Sequence, residues 1–289
     1  MLMNNLSSKN YIRELLQEHG LYAKKHFGQN FLTDAHVLGK IVAAAQLDEN
    51  DQVLEIGPGL GVLTSELAKC AGKVFAIEID KELVAILNQT VVKKHDNVTI
   101  HNGDILKTDI TALVGANIAR PLKVVANLPY YITTPVIFGL FEQNLPISSM
   151  VVMVQKEVAE RFLAAPSTKA YGIPTLTLAL YGSCELVANV PPHSFHPRPD
   201  VHSAVIKITS QQKDPSIEPK NFTRLVKAAF ANRRKTLANN LHSHLKLTKE
   251  NAQKLIKEAG FPETIRGEAL SFDEFATLSK VFEKGGYIE

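Results

Sequence analysis

The chain has no tryptophan and only two cysteines, Cys70 and Cys184, in 289 residues. Thiols so few and so far apart, without companion ligands at metal spacing, exclude a disulfide scaffold and a cysteine-ligated metal. They read as the reduced, buried thiols of a cytoplasmic protein, and no metal is expected. No apolar run approaches the length needed to cross a bilayer, and the opening MLMNNLSSKN lacks the basic-then-apolar pattern of a secretion signal. Internal repeats and low-complexity segments are missing too. A net charge of only +3 is too small to announce a nucleic-acid partner, so the placement of charge must be read instead. One local absence is informative. From Lys220 to Lys249 there are eight Lys or Arg residues and no Asp or Glu. A solvated helix face mixes signs, so an acid-free run of this length points to a polyanion. Arg233, Arg234 and Lys235, consecutive within it, are the candidate contacts, together with Lys24 and Lys25 near the N-terminus.

What is present begins with a 45% hydrophobic fraction, enough for a substantial core. Apolar runs at VLEI, VFAI, VTIH, KVVA and MVVMV read as five buried strands with helices between them. Two further strands, CELVANV and SAVIKIT, flank a rigid loop, PPHSFHPRPDV (191–201). That loop is too short for a helical crossover, so these last strands should be antiparallel. After the polar, proline-containing linker QQKDPSIEP (211–219) the pattern turns wholly helical. Phe222, Leu225, Val226, Ala229 and Phe230 fall on one helical face, and three more helices follow over 234–245, 248–259 and 271–284. Ser271 with Glu274 spells a capping box, and Gly260 a helix stop. The expected division is an α/β domain over 1–210, with an N-terminal extension 1–33, and a small all-α domain over 211–289.

The α/β part is organised around VLEIGPGLG (53–61): strand, glycine turn, helix, the opening of a nucleotide-binding βαβ unit. Gly57 and Gly59 allow the backbone to come closer to a ligand than a Cβ permits. The dinucleotide fingerprint G-x-G-x-x-G is not met, because Val62 stands where its third glycine would fall, and no Walker lysine follows. E-x-G-x-G-x-G instead resembles the first motif of S-adenosylmethionine-dependent methyltransferases. Glu78 ends the next strand about twenty residues on, where an acid can accept from ribose hydroxyls. Asp104 lies just past the third strand, on the ligand side of an open sheet. The basic, aromatic segment KKHFGQNFL (24–32) has two readings. Phe27 and Phe31 staple it to the core, or it caps the ligand with Lys24, Lys25 and His26 reaching phosphates.

NLPY (127–130) carries the chemistry. It resembles the motif of enzymes that methylate an exocyclic base amine. Such an amine is a poor nucleophile because its lone pair is delocalised into the ring. The side-chain oxygen of Asn127 and the carbonyl of Leu128 can each accept one of its N–H groups and free the lone pair. Pro129 rigidifies the turn without an N–H to satisfy. Tyr130 offers a ring for the base to stack on.

Together with FGQNFL (27–32), LEIGPGLGVLT (54–64), IEID (77–80), GDIL (103–106), NLPYYI (127–132), QKEVAERF (155–162), F-x-P-x-P-x-V-x-S (195–203) and RRKTLANNL (233–241), these motifs make the chain resemble the kasugamycin-resistance family of small-subunit rRNA adenine dimethyltransferases. The resemblance runs nearly end to end. It implies a Rossmann-like class I methyltransferase fold, with a seven-stranded, mostly parallel sheet. It implies S-adenosylmethionine held by Asn30, Leu32, Gly57, Glu78, Asp104 and Asn127, with Glu78 on the ribose and Asp104 on the adenine amine. Two adjacent adenosines in the 3′-terminal hairpin of 16S rRNA, within the 30S subunit or its precursor, would each take two methyls at N6. Phe195 would help wall the target-base pocket. On this mapping 24–32 is a cofactor segment through Asn30 and Leu32. A monomer without membrane association is expected. Three alternatives stand beside it: a macrolide-resistance large-subunit rRNA dimethyltransferase, a non-catalytic assembly factor on the same fold, and a nicotinamide oxidoreductase.

Overall fold

A computed structural model of the chain describes residues 9–24, 27–115, 120–143, 145–211, 214 and 216–287. Lys25 and His26 lie outside the described residues. The described chain forms two compact units, Met1–Ala159 with Glu185–Ser210, and Glu160–Cys184 with Gln211–Glu289.

The first unit is built from α1 (Lys9–Glu18), β1 (Phe31–Leu32), α2 (Ala35–Ala45), β2 (Gln52–Ile56), α3 (Val62–Ala68), β3 (Lys73–Glu78), α4 (Lys81–Thr90), β4 (Val98–Asn102), α5 (Ile110–Val114), β5 (Leu122–Asn127), α6 (Thr133–Glu142), β6 (Ile147–Gln155), α7 (Lys156–Phe162, which runs into the second unit), β7 (Gly182–Val190), β8 (Phe195–His196) and β9 (Ser203–Ser210). Seven strands make one sheet in the order β4-β3-β2-β5-β6-β9-β7. β2 pairs in parallel with β3 and β5, β3 with β4, and β5 with β6, while β9 runs antiparallel to β6. Central strands need apolar residues on both faces, and Val53, Leu54, Val124, Val125, Val151 and Val152 are almost fully buried. This is the mostly parallel, doubly wound sheet that the run of apolar strands predicts.

The order of the strands creates the site. β2 is flanked on one side by β3 and on the other by β5, so the chain reverses direction of winding there. Ligands of open α/β sheets bind at such a switch point, beyond the carboxyl ends of the strands. The register does the rest. Ile56 pairs with Ile77 and with Ala126, which puts the next residues, Gly57, Glu78 and Asn127, on one level at that edge.

The 191–201 loop is more structured than its sequence suggests. Within it β8 pairs antiparallel with β1, matching Phe31 to His196 and Leu32 to Phe195. Ser194 reinforces the clasp: its carbonyl accepts from Thr33 N at 2.8 Å and its hydroxyl bonds Asp34 at 2.8 Å. Asp34 also caps α2, accepting from the amides of His36 and Val37. Phe31 is buried with Ile12, Leu15 and Leu16 of α1, as stapling expects of it, whereas Phe27 is only half-buried and lines the cavity.

The second unit contains α8 (Ile173–Tyr181), α9 (Pro219–Ala229), α10 (Leu237–His244), α11 (Lys249–Glu258) and α12 (Phe272–Lys284). Ser271 and Glu274 form the expected capping box of α12, and Gly260 ends α11 at φ +89°. Residues 160–184, expected within the first domain, group instead with the helices. The reason is packing: Tyr171, Leu176 and Leu180 are buried with Phe222, Leu225, Val226 and Phe275 in one core. No helix among the described residues is long and apolar enough to cross a membrane. The two cysteines are not both buried as expected: Cys70, just past the end of α3, is exposed and Cys184 is half-buried.

Candidate active site

A cavity of about 210 Å³ opens at the carboxyl edge of β2, β3 and β5. Its walls bring together Asn30, Leu32, Gly57, Gly59, Glu78, Asp104, Asn127, Leu128, Pro129 and Tyr130, drawn from five separate stretches of chain. Those ten are all the cofactor and NLPY candidates named from the sequence apart from Phe195.

The glycine turn is shaped by what surrounds it. Gly59 has φ +61°, and a Cβ there would meet the Phe31 ring at 3.1 Å. Gly61 has φ +79°, and its Cβ would lie 2.4 Å from Val91 Cγ2. Both the left-handed backbone and the tight packing therefore demand glycine. Glu78 holds the turn in place. Its Oε2 accepts from Gly59 N at 3.1 Å and its Oε1 from Asp80 N at 2.9 Å. Each oxygen keeps a further lone pair for a ligand hydroxyl. Burial raises the Glu78 carboxyl above the ordinary range, although the amide hydrogen bonds oppose this.

Asn127 is oriented by the N-terminal segment. Its Nδ2 donates to the Asn30 carbonyl at 3.1 Å. That bond fixes which end of the carboxamide is which and leaves Oδ1 as an uncommitted acceptor. The Leu128 amide donates to Met153 O at 3.2 Å, tying the turn to β6. No described donor reaches the Leu128 carbonyl. Tyr130 is half-buried, and its hydroxyl shares a 2.6 Å bond with Ser203 Oγ, which holds the ring steady at the cavity wall. Burial raises its phenol above the usual value, so it stays neutral.

The charge of the cavity decides between ligand classes. Its walls carry three acidic side chains, Glu55, Glu78 and Asp104, and no Lys or Arg among the described residues. A pyrophosphate would be repelled by such walls, whereas a cationic ligand is drawn in. This disfavours the nicotinamide dinucleotide and fits a ligand with an ammonium or sulfonium centre. Among the described residues no cluster of His, Cys, Asp or Glu could hold a metal ion.

Three candidates named from the sequence are placed otherwise. Phe195 is not in the cavity wall. It is 1% exposed and packs in the core with Leu38, Val125 and Met153, behind its β-partner Leu32. Lys24 does not reach outward for phosphates. Its ammonium is 2.9 Å from Asp80 and 2.6 Å from Glu82, pinning the segment to the start of α4. Gln29 completes that anchor by donating to the other Asp80 oxygen at 2.9 Å. Arg233 is likewise committed inside its own unit. It bonds the carbonyls of Thr168, Lys169 and Tyr171 at 3.1, 2.6 and 2.9 Å and pairs with Glu268 at 3.2 Å. Arg234 and Lys235 are exposed. Of the wall residues that the sequence reading did not name as site residues, two matter most. Tyr131 lies at the mouth, its ring facing Gly28. Glu55 is the other, and its signal was an acid set between Leu54 and Ile56 in a buried strand.

A doubly wound sheet with a cation-attracting cavity at its switch point, and an amide-plus-carbonyl acceptor pair at its rim, defines an N-methyltransferase of the nucleotide-fold type. The sequence places it more narrowly. Residues 20–284 match the family model described as ribosomal RNA adenine dimethylase, and the chain belongs to that family. It is 49% identical over 277 residues to a ribosomal RNA small subunit methyltransferase A of Lachnoclostridium phytofermentans, covering 94% of this chain and 95% of that one. With a protein of the same name from Clostridioides difficile it shares 43% over 282 residues, covering 96% and 97%. A crystal structure of a dimethyladenosine transferase from Plasmodium falciparum superposes with a TM-score of 0.77 at 27% identity, over 89% of this chain and 98% of that one.

Proposed function

We propose that this protein transfers methyl groups from S-adenosylmethionine to N6 of two adjacent adenosines in the 3′-terminal hairpin of 16S rRNA, in the small ribosomal subunit or its precursor. The observation that carries the reading is the Asn127 carboxamide, clamped through Nδ2 by the Asn30 carbonyl with Oδ1 left over, in a cavity wall that Leu128 continues. Two acceptors at the rim of a cavity suit an aromatic amine that must surrender two N–H bonds to its surroundings before its lone pair is available.

The donor supplies an electrophilic methyl on a positively charged sulfur. This chain's residues do the remaining work. Oδ1 of Asn127 and the carbonyl of Leu128 accept from the two N–H groups and draw the nitrogen toward tetrahedral geometry. Tyr130 holds the extruded base by stacking, its own tilt fixed by Ser203. Glu78 and Asp104 stand where they can accept from the donor's ribose and adenine. Asn30 and Leu32 close the wall opposite. Alignment and exclusion of water supply the rate, since the leaving sulfur becomes neutral and needs no oxyanion stabilisation. The proton lost from the methylated amine is acidic enough to leave to water. The second methylation needs one acceptor fewer, so the same pair serves both rounds.

The helical unit is assigned to RNA binding, through Arg234 and Lys235 rather than Arg233, with a cytoplasmic monomer as the working species. Transfer of labelled methyl to undermethylated small subunits, followed by nucleoside analysis, tests the whole reading. N6,N6-dimethyladenosine in the small-subunit RNA is the expected product. Label confined to large-subunit RNA, or no transfer at all, would overturn it in favour of the macrolide-resistance or assembly-factor alternatives.

A further inference from the structure

Glu55 is out of place by the ordinary rules of a β-sheet. It sits in the central strand β2, paired with Ala76 on one side and Val125 on the other. It is 1% exposed, and its Oε2 has no hydrogen-bond partner. The fully buried Thr64 hydroxyl of α3 beside it finds no partner within full hydrogen-bond distance, although it lies near enough to favour the charged form of Glu55. A buried carboxyl left this way is costly unless something else completes it. It helps to form the wall of the cavity.

Among the described residues no cation comes to it. From β3 it faces Glu78, a like charge. β5 contributes only Val124, Val125 and Ala126 around it, and its Lys123 is engaged with Asp51. On α3 the one other ionisable group, Glu66, is paired with Lys69. The segment 27–32 brings no ionisable side chain. Burial pushes the Glu55 carboxyl up to about 8, with the Thr64 hydroxyl working against this and the Glu78 charge adding to it.

We propose that Glu55 is a charge-sensing contact for the methyl donor: it keeps a proton while the cavity holds no cation and releases it to solvent when the cationic donor binds. The proposal rests on the reading of the cavity as the S-adenosylmethionine site. Its consequence is discrimination. Donor and product share an amino-acid end, but the donor carries one more positive charge, on sulfur. A carboxylate formed only when needed favours the donor and loosens its grip once the methyl, leaving its bonding pair on sulfur, has gone to the acceptor nitrogen. Glu55 then recovers its proton from water.

Calorimetric titrations at pH 7.5 in two buffers of different ionisation enthalpy count the protons exchanged. They are run with S-adenosylmethionine and with S-adenosylhomocysteine, on the wild type and on Glu55→Gln. The wild type should release more protons with the donor than with the product, and more than the variant does with the donor. Donor affinity of the wild type should gain up to about tenfold per pH unit relative to the variant as pH rises toward 8, and level off above it. The donor's own α-amine titrates for both proteins alike, so the difference between them isolates Glu55. Thermal unfolding of the ligand-free variant monitors its fold. Should the variant not fold, the donor-versus-product proton count on the wild type still decides. Equal counts, or equal pH slopes in the two proteins, would overturn the proposal. Absence of any donor binding to the wild type would instead overturn the functional reading beneath it.

Discussion

The rim of the cavity and the helical unit use their polar groups in opposite ways. At the rim the significant atoms are those the protein leaves unpaired: Oδ1 of Asn127, the Leu128 carbonyl, Oε2 of Glu55. In the helical unit the most conspicuous cation, Arg233, spends four of its five N–H donors on its own neighbours. A residue type in a suggestive pattern is therefore not enough to assign function. What matters is whether the fold has already used its hydrogen-bonding capacity. At the rim, position and leftover capacity agree. Among the helices they part company at Arg233 and agree at Arg234 and Lys235.

The comparison can be broken most severely at Asn127. Asn127→Ala removes one of two acceptors, and methyl transfer should fall by about a hundredfold or more, by analogy with loss of one preorganised donor elsewhere. RNA binding in a filter assay should be unchanged. Near-normal turnover would show that the acceptor pair is not what activates the amine. Next in size is Gly61→Ala. Its Cβ would collide with Val91 and Leu87 in a left-handed backbone, and denaturant unfolding should show a loss of about 1–3 kcal/mol.

Arg233→Gln should behave as a packing variant. Three carbonyls of 168–171 lose their donor, so the melting temperature should drop by the equivalent of about 1–3 kcal/mol. Arg234→Gln and Lys235→Gln should leave that temperature alone and lower the slope of log affinity against log salt by about 1 each. If Arg233→Gln changed only the salt slope, the division drawn here between the three residues would be wrong. The smallest effect belongs to Lys24→Gln. It frees the donor-side segment from Asp80 and Glu82, so KM for the donor should rise a few-fold while the salt dependence of RNA binding stays put. A pH series of stability sharpens the other half. The raised Glu55 carboxyl means that the folded state binds more protons than the unfolded one between about pH 4.5 and 8. Stability should therefore fall as pH rises through that window. Glu55→Gln should unfold at a higher temperature than wild type at pH 8.5, with the gap closing toward pH 4.5.

Local periodicity carries a long way here. The seven strands of the main sheet, the turn at 57–61, the capping box at Ser271 and the NLPY residues were legible, because each rests on short-range rules of spacing or backbone geometry. Gly57, Glu78 and Asn127 could be grouped before any coordinates, since parallel strands deliver their ends to one edge. What escaped depends on contacts remote in sequence. Phe195 pairs with Leu32, and that partnership buries the ring that the motif alone would have exposed. Lys24 looked free because Asp80 is 56 residues away. Residues 160–184 read as one more helical crossover, yet their apolar face matches the core of the other unit. Glu55 was in plain sight inside the motif, but nothing short of its burial reveals that no partner waits for it.

The little clasp between Phe31–Leu32 and Phe195–His196 has a consequence for the order in which the protein comes into being. During synthesis the donor-side wall emerges early, but the strand that fastens it arrives 165 residues later, at position 196 rather than 31. Contacts so distant along the chain form late, because a long loop must close first. A half-made polypeptide thus has its glycine turn in hand without a finished wall, and catalytic competence should switch on only as the final strands leave the exit tunnel. The enzyme proposed to finish ribosomes would remain inert for most of its own translation on one.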